Sequence, residues 1–334
     1  MDIFSDLIMG LSIAITPINM VYLLVGAMVG MIVGVIPGFG PSAGLAILLP
    51  VTFGMDPVGA IMMLAAIYYG AMYGGTITSI LLNTPGESAT VASTFDGFPL
   101  AKKGRAGPAL VMQAVASFVG GTVGVILITI LAPMFAQVSR SFGPPEYFLL
   151  ALMGMLTLIV MIGEHWKLGM ISALIGLGLG TVGVDLETGQ GRFTFRSAEL
   201  IGGIYFIPIA IGLFGLGELF YAFYKGMQKT GSGGIVQYNK EERFWPSKHD
   251  FMSTRMTMVR NSILGFVVGV IPGAGATIAS LMACSTERSL SKHPEKFGTG
   301  EMAGLVAPET ANNAASSGAM IPLLTLGIPG SAST

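Results

Sequence analysis

Four short segments combine a proline-glycine break with hydroxyl side chains. They are Pro37-Gly38-Phe39-Gly40-Pro41-Ser42, Pro85-Gly86-Glu87-Ser88-Ala89-Thr90, Pro272-Gly273-Ala274-Gly275-Ala276-Thr277 and Pro329-Gly330-Ser331. Proline removes a backbone donor and glycine admits unusual angles, so a helix cannot run through such a segment. A helix that restarts afterwards presents unpaired amides at its N-terminus. Ser42 and Thr277 stand where a helix N-cap is expected, and Ser88, Thr90 and Ser331 follow the other two breaks. Free amides beside hydroxyls suit an anion. The last carbonyls of the preceding half-helix suit a small cation. The candidate anion site is therefore Gly38, Gly40, Ser42, Pro85, Gly86, Ser88, Thr90, Gly273, Gly275, Thr277, Pro329, Gly330 and Ser331.

A second group lies in Pro308-Glu309-Thr310-Ala311-Asn312-Asn313. Asn312 and Asn313 offer carbonyl oxygens for a hard cation such as sodium, and buried polar groups in a membrane are usually functional. The competing reading of Glu309, Asn312 and Asn313 is a cluster that caps a helix at the membrane interface. Glu87, an acid at the position matched by Ser331, would repel an anion unless protonated or paired.

The surrounding chain has 52% hydrophobic and 10% charged residues, with net charge −1 and mean hydropathy +0.73. An ordinary soluble domain carries about 25% charged residues. This is the composition of a polytopic all-α membrane protein, with no basic stripe for nucleic acid. Cys284 is the one cysteine, so no intrachain disulfide forms. The N-terminus has no basic residue ahead of its apolar run and so lacks a signal-peptide start. There is no His-Glu-x-x-His, no paired cysteine and no Gly-x-Ser-x-Gly, so an enzyme is the weaker class and no cofactor is expected beyond sodium ions.

Spans are predicted near 17–36, 57–82, 108–135, 145–163, 168–184 and 203–224, with a seventh starting near 260. Segment 42–54 is too short to cross and reads as a half-helix or re-entrant piece. Segment 91–106, with Asp96, Lys102, Lys103 and Arg105, reads as interfacial. Glycines at four-residue spacing before the breaks, Gly26, Gly30 and Gly265 among them, read first as close helix packing.

The first and third breaks match, as do the second and fourth, so two repeats are expected: 1–224, then a basic linker over 225–259, then 260–334. Lysine and arginine are absent before Lys102 and crowd into 225–260, which places that linker in the cytoplasm and the N-terminus outside. The first repeat then enters its break from outside and the second from inside, giving inverted repeats with a midplane site. Nothing in the second repeat matches 91–224, so a complete copy would extend the chain to roughly 470 residues.

At these residues the chain resembles the TctA family, the large membrane subunit of tripartite tricarboxylate transporters. The resemblance rests on the Gly-x-x-x-Gly-x-x-Pro-Gly-x-Gly pattern at Gly30–Gly40 and Gly265–Gly275. Pro308-Glu309-x-Ala311-Asn312-Asn313-Ala314 and Leu323-Leu324-Thr325-Leu326-Gly327-Ile328-Pro329-Gly330 complete it. It implies a bacterial inner-membrane protein working with a small TctB-like membrane subunit and a periplasmic TctC-like solute-binding protein. It also implies ion-driven uptake of citrate or another carboxylate by alternating access. An anion channel on the same broken helices is the alternative.

Overall fold

The computed structural model describes residues 3–36, 39–139, 141–161, 166–185, 189–204, 208–209, 211–217, 220, 223–224, 244–271, 275–327, 329–331 and 333–334. Within them the helices in chain order are α1 (Ile3–Ala14), α2 (Pro17–Val35), α3 (Gly40–Leu48), α4 (Pro57–Leu82), α5 (Val91–Leu100) and α6 (Ala106–Ser139). There follow α7 (Pro144–Met161), α8 (Trp166–Gly180), α9 (Lys248–Val270), α10 (Gly275–Leu290) and α11 (Met302–Leu326).

Local chemistry explains most of these boundaries. Asp56 caps α4 by accepting from the amides of Val58 and Gly59 at 3.1 and 3.3 Å, with Pro57 as first residue. The helix ends at Asn83 in the left-handed conformation, as α11 ends at Gly327. A capping box of Ser247 and Asp250 opens α9. α5 passes into α6 through a π-turn at Ala101–Arg105, where Gly104 has φ +77° and the axis kinks.

Three helical stretches, Pro17–Val35, Pro57–Leu82 and Ser88–Val138, are long and apolar enough to cross a membrane. α2, α6 and α8 leave large apolar side chains exposed, including Leu24, Ile32, Phe118 and Leu174. α11 is the opposite: it is buried along most of its length and packs against α5, α6, α9 and α10. An outward-facing apolar shell around a buried polar helix is stable where lipid is the solvent.

Glycine sets the tightest contacts. Any side chain at Gly30 or Gly34 of α2 would strike the backbone of Ile67 or Ala71 on α4. Gly265 and Gly269 of α9 lie in the same way on Ala311 and Ala315 of α11. Close packing is therefore the role of these glycines. Gly74 and Gly318 return the contact from α4 and α11, onto Met31 and Phe266.

Several expectations need correction. α9 begins at Lys248, twelve residues before the expected start near 260, because a polar first half conceals a helix that its capping box announces. Within segment 91–106, Ala92, Ser93, Asp96, Leu100 and Ala101 are buried against the rest of the protein, while Lys102 and Lys103 are exposed. α1 was not expected, being too short to read as a span. α8 stops at Gly180, and the chain turns into a two-residue antiparallel ladder pairing Gly183 with Arg192. Segment 42–54 is short as expected, α3 followed by a 3-10 turn at Leu49–Thr52. Of the expected span 203–224, the described part carries a π-turn at Ile211–Leu216. The basic linker lies outside the described residues over 225–243.

Candidate functional site

Gly38 and Gly273, with Pro37, Pro272 and Ala274, lie outside the described residues. The residues around them match. Gly40 and Gly275 have φ +61° and +60°, left-handed values that favour glycine, and each starts a helix. Gly40 sits against Glu87, and Gly275 against Ser331. Each restarting helix thus faces the loop that follows the other break of its own half.

Ser42 and Thr277 are not N-caps. Because the glycine itself makes the turn, α3 and α10 begin at Gly40 and Gly275, and both hydroxyls fall two residues into the first helical turn. Phe39 holds the cap position of α3 without a side-chain bond. Ser88 is not a cap either; Glu87 occupies that position in the 3-10 turn Ser88–Thr90.

The two following loops share one hydrogen-bond box. Glu87 N–H donates to Thr90 Oγ1 at 3.4 Å and Thr90 N–H to the Glu87 carbonyl at 3.2 Å. Ser331 N–H donates to Thr334 Oγ1 at 2.8 Å and Thr334 N–H to the Ser331 carbonyl at 3.2 Å. Thr90 is therefore buried and committed to the loop. After Pro85, Gly86 N–H bonds the Gly75 carbonyl at 3.2 Å, and a side chain there would strike Gly34 and Gly75. After Pro329, which is exposed, a Cβ on Gly330 would come within 2.9 Å of the Ala319 carbonyl.

The halves meet directly. The exposed Ser88 hydroxyl lies 2.8 Å from that of Thr277, joining the first loop to the second restarting helix. Tyr69 Oη of α4 lies 2.5 Å from Ser317 Oγ of α11. Glu87 Oε1 is buried without a partner. An open recess of about 700 Å³ lies between α2, α4 and α6, walled mainly by apolar side chains, with Tyr69, Tyr73, Ser117, Thr122 and Asn313 of α11 as its polar members.

Glu309, Asn312 and Asn313 do not cap a helix at an interface. They lie in the middle of α11 and are buried, so that reading is overturned. Glu309 Oε1 accepts from Thr76 Oγ1 and Ser93 Oγ, both at 2.6 Å, and from Asn312 Nδ2 at 3.5 Å. Its Oε2 accepts from Ser117 Oγ at 3.4 Å. Asn312 Oδ1 already accepts from Asn313 Nδ2 at 2.6 Å, and Asn313 also donates to the Glu309 carbonyl at 3.0 Å. The asparagines thus brace Glu309. Thr76, Ser93, Ser117, Tyr68 and Tyr69 were not singled out from sequence. Hydroxyls inside apolar runs were the available signal, but the convergence of Thr76, Ser93 and Ser117 on one carboxylate was not visible.

Two charged clusters lie apart from this centre. Arg260 makes a two-pronged ion pair with Glu287, at 2.7 Å on each oxygen, supported by Asn261 and Thr257. Arg105 pairs with Asp250 at 2.7 Å. Burial acts to raise the Asp250 carboxyl, but hydrogen bonds from Arg105 and Ser247 outweigh it and hold the group below the usual carboxylate range. Among the described residues no three His, Cys, Asp or Glu side chains gather as metal ligands.

Apolar spans around a buried helix, with broken helices meeting at hydroxyls and amides, define an all-α membrane protein with a polar centre. The chain belongs to the tripartite tricarboxylate transporter TctA family, whose profile matches residues 20–334. A relative from Agrobacterium vitis, described as an uncharacterized 52.8 kDa protein in the TAR-I ttuC' 3'region, is 48% identical over 331 residues. That match covers 98% of this chain and 64% of the relative, so the chain spans less than two thirds of that protein's length. A second Agrobacterium vitis protein, described as uncharacterized in the TAR-II ttuC' 3'region, is 52% identical over 65 residues. The match covers 20% of this chain and 27% of that protein. No solved structure matches.

Proposed function

We infer that the chain is the transport subunit of an ion-driven, binding-protein-dependent uptake system for tricarboxylates or related carboxylates. It works in the bacterial inner membrane with its N-terminus periplasmic, beside a small TctB-like membrane subunit and a TctC-like binding protein that delivers the solute. The single observation that carries this reading is the 2.8 Å contact between Ser88 and Thr277, which joins a loop of one half to the broken helix of the other. Family membership supports the choice of substrate class.

The matched left-handed turns at Gly40 and Gly275 and the matched loop boxes support two repeats, related by inversion, that move against each other around this junction. The carboxylate is held by the amides and hydroxyls of Ser42, Ser88, Thr277 and Ser331, because helix N-termini attract negative charge. The cation is held near Asn312 and Asn313.

Uptake of radiolabelled citrate, by the full-length protein reconstituted with its two partners, tests this. Accumulation against a gradient that collapses without the driving ion is expected, and Ser88→Trp should abolish it. Equilibration without accumulation would indicate a channel instead. Unchanged uptake by Ser88→Trp would refute the site.

A further inference from the structure

Most helical hydroxyls here donate back into their own helix. Thr310 bonds the Val306 carbonyl at 2.8 Å, Ser316 that of Asn312 at 3.0 Å, Ser262 that of Met258 at 2.8 Å and Thr129 that of Val125 at 2.8 Å. Thr76 of α4, Ser93 of α5 and Ser117 of α6 behave differently, and all three turn to Glu309. One carboxylate, fully buried on α11, thus gathers hydroxyls from three other helices. None of the described lysines or arginines pairs with it.

We propose that Glu309, Thr76, Ser93 and Ser117 form a binding site for a sodium-sized monovalent cation, the coupling ion of the transport reading above. Three observations converge on it. The donor set is all oxygen, which suits a hard cation. One positive charge matches the one carboxylate in this donor set, whereas a divalent ion would exceed it. The third is an unused acceptor: Gln113 Oε1 is buried without a partner, one turn from Ser117 on the same face of α6.

The switch between states needs only hydroxyl rotation. Without the ion, the three hydroxyls donate to the carboxylate. With it, each can donate to the carbonyl four residues back, as Thr310 does, and offer lone pairs to the cation. Ser117 also lines the recess between α2, α4 and α6, so the site has an edge toward open space.

The test is the thermal unfolding midpoint of the purified full-length protein, titrated with sodium chloride against potassium chloride at constant ionic strength. Sodium, not potassium, should raise the wild-type midpoint. Ser93→Ala should need roughly tenfold more sodium for the same rise, and Glu309→Gln should lose it. Thr310→Val, whose hydroxyl points into its own helix, should respond as wild type. Equal responses to both salts, or an undiminished sodium response in Glu309→Gln, would overturn the proposal. So would a response that follows pH alone and vanishes in Glu309→Gln, since that is a proton site. If Glu309→Gln does not fold, the Ser93→Ala titration decides. Adding citrate to the same samples separates the two readings: a citrate shift without a sodium shift removes only the cation site, and a sodium shift without citrate binding or uptake removes only carboxylate transport.

Discussion

The crossing of α2 with α4 and that of α9 with α11 use one backbone plan for different side chains. Both place glycines of the leading helix on the partner's backbone, end the partner in a left-handed cap at Asn83 or Gly327, and close with the same loop box. In the register that aligns Gly74 with Gly318, however, Tyr68, Tyr69 and Tyr73 of α4 stand at the positions of Asn312, Asn313 and Ser317 of α11. Aromatic bulk occupies one half and small polar groups occupy the other. The skeleton is shared because close helix approach leaves no choice of residue. The polar centre is free to differ: α11 carries the buried carboxylate of Glu309 where α4 has Ala65 at the aligned position.

The largest expected effect breaks what the two crossings share. Gly34→Val and Gly269→Val should each prevent accumulation of folded protein, since no side chain fits against Ala71 or Ala315. Gly176→Ala on α8, which has open space around it, should leave size-exclusion profiles unchanged. If only one crossing glycine is intolerant, the crossings are not equivalent.

A smaller effect sharpens their difference. Thr76→Val removes one of the two short hydrogen bonds to buried Glu309 and should cost about 1–3 kcal/mol, read as a lowered unfolding midpoint. Ala65→Ser, at the aligned place in α4, should change the midpoint far less.

At the opening of α9, Ser247→Ala should cost about 1 kcal/mol through loss of the capping box. The Arg105–Asp250 pair is worth about 1 kcal/mol at most, because the Arg105 side chain is 39% exposed and screened by water. Its pH dependence follows from a carboxyl held low in the folded state. The contribution is present above the usual carboxylate range and is lost as pH falls through the lowered value. Arg105→Met should therefore lower stability near neutral pH and flatten that acid loss, as followed by midpoints measured from pH 7 down to about 3.

Much of the helical order could be read from the residues. α4 spans Pro57–Leu82 as expected, because Asp56-Pro57 starts it and an uninterrupted apolar run carries it to Asn83. α9 was harder, since Lys248, His249, Asp250 and Arg255 masked a helix whose cap was its clearest sign. In segment 91–106 the charges suggested an interface, and only the structure shows that Asp96 among them is buried where its Oδ1 accepts the amides of Gly298, Gly300 and Glu301 at 2.7 to 2.9 Å. Those donors lie some two hundred positions along the chain, beyond any local pattern.

The sequence by itself determined that this is a helical membrane protein of the TctA family, with paired breaks where proline and glycine forbid a continuous helix. Those properties depend on composition, backbone angles and spacing, which are local. Tertiary structure decided which groups share a centre. It bound Ser88 to Thr277 and left Ser42 and Thr277 inside helices. It also drew Thr76, Ser93 and Ser117 from three helices onto Glu309. A buried carboxylate in an apolar interior must find donors wherever the fold supplies them, and that choice is made by packing between distant segments.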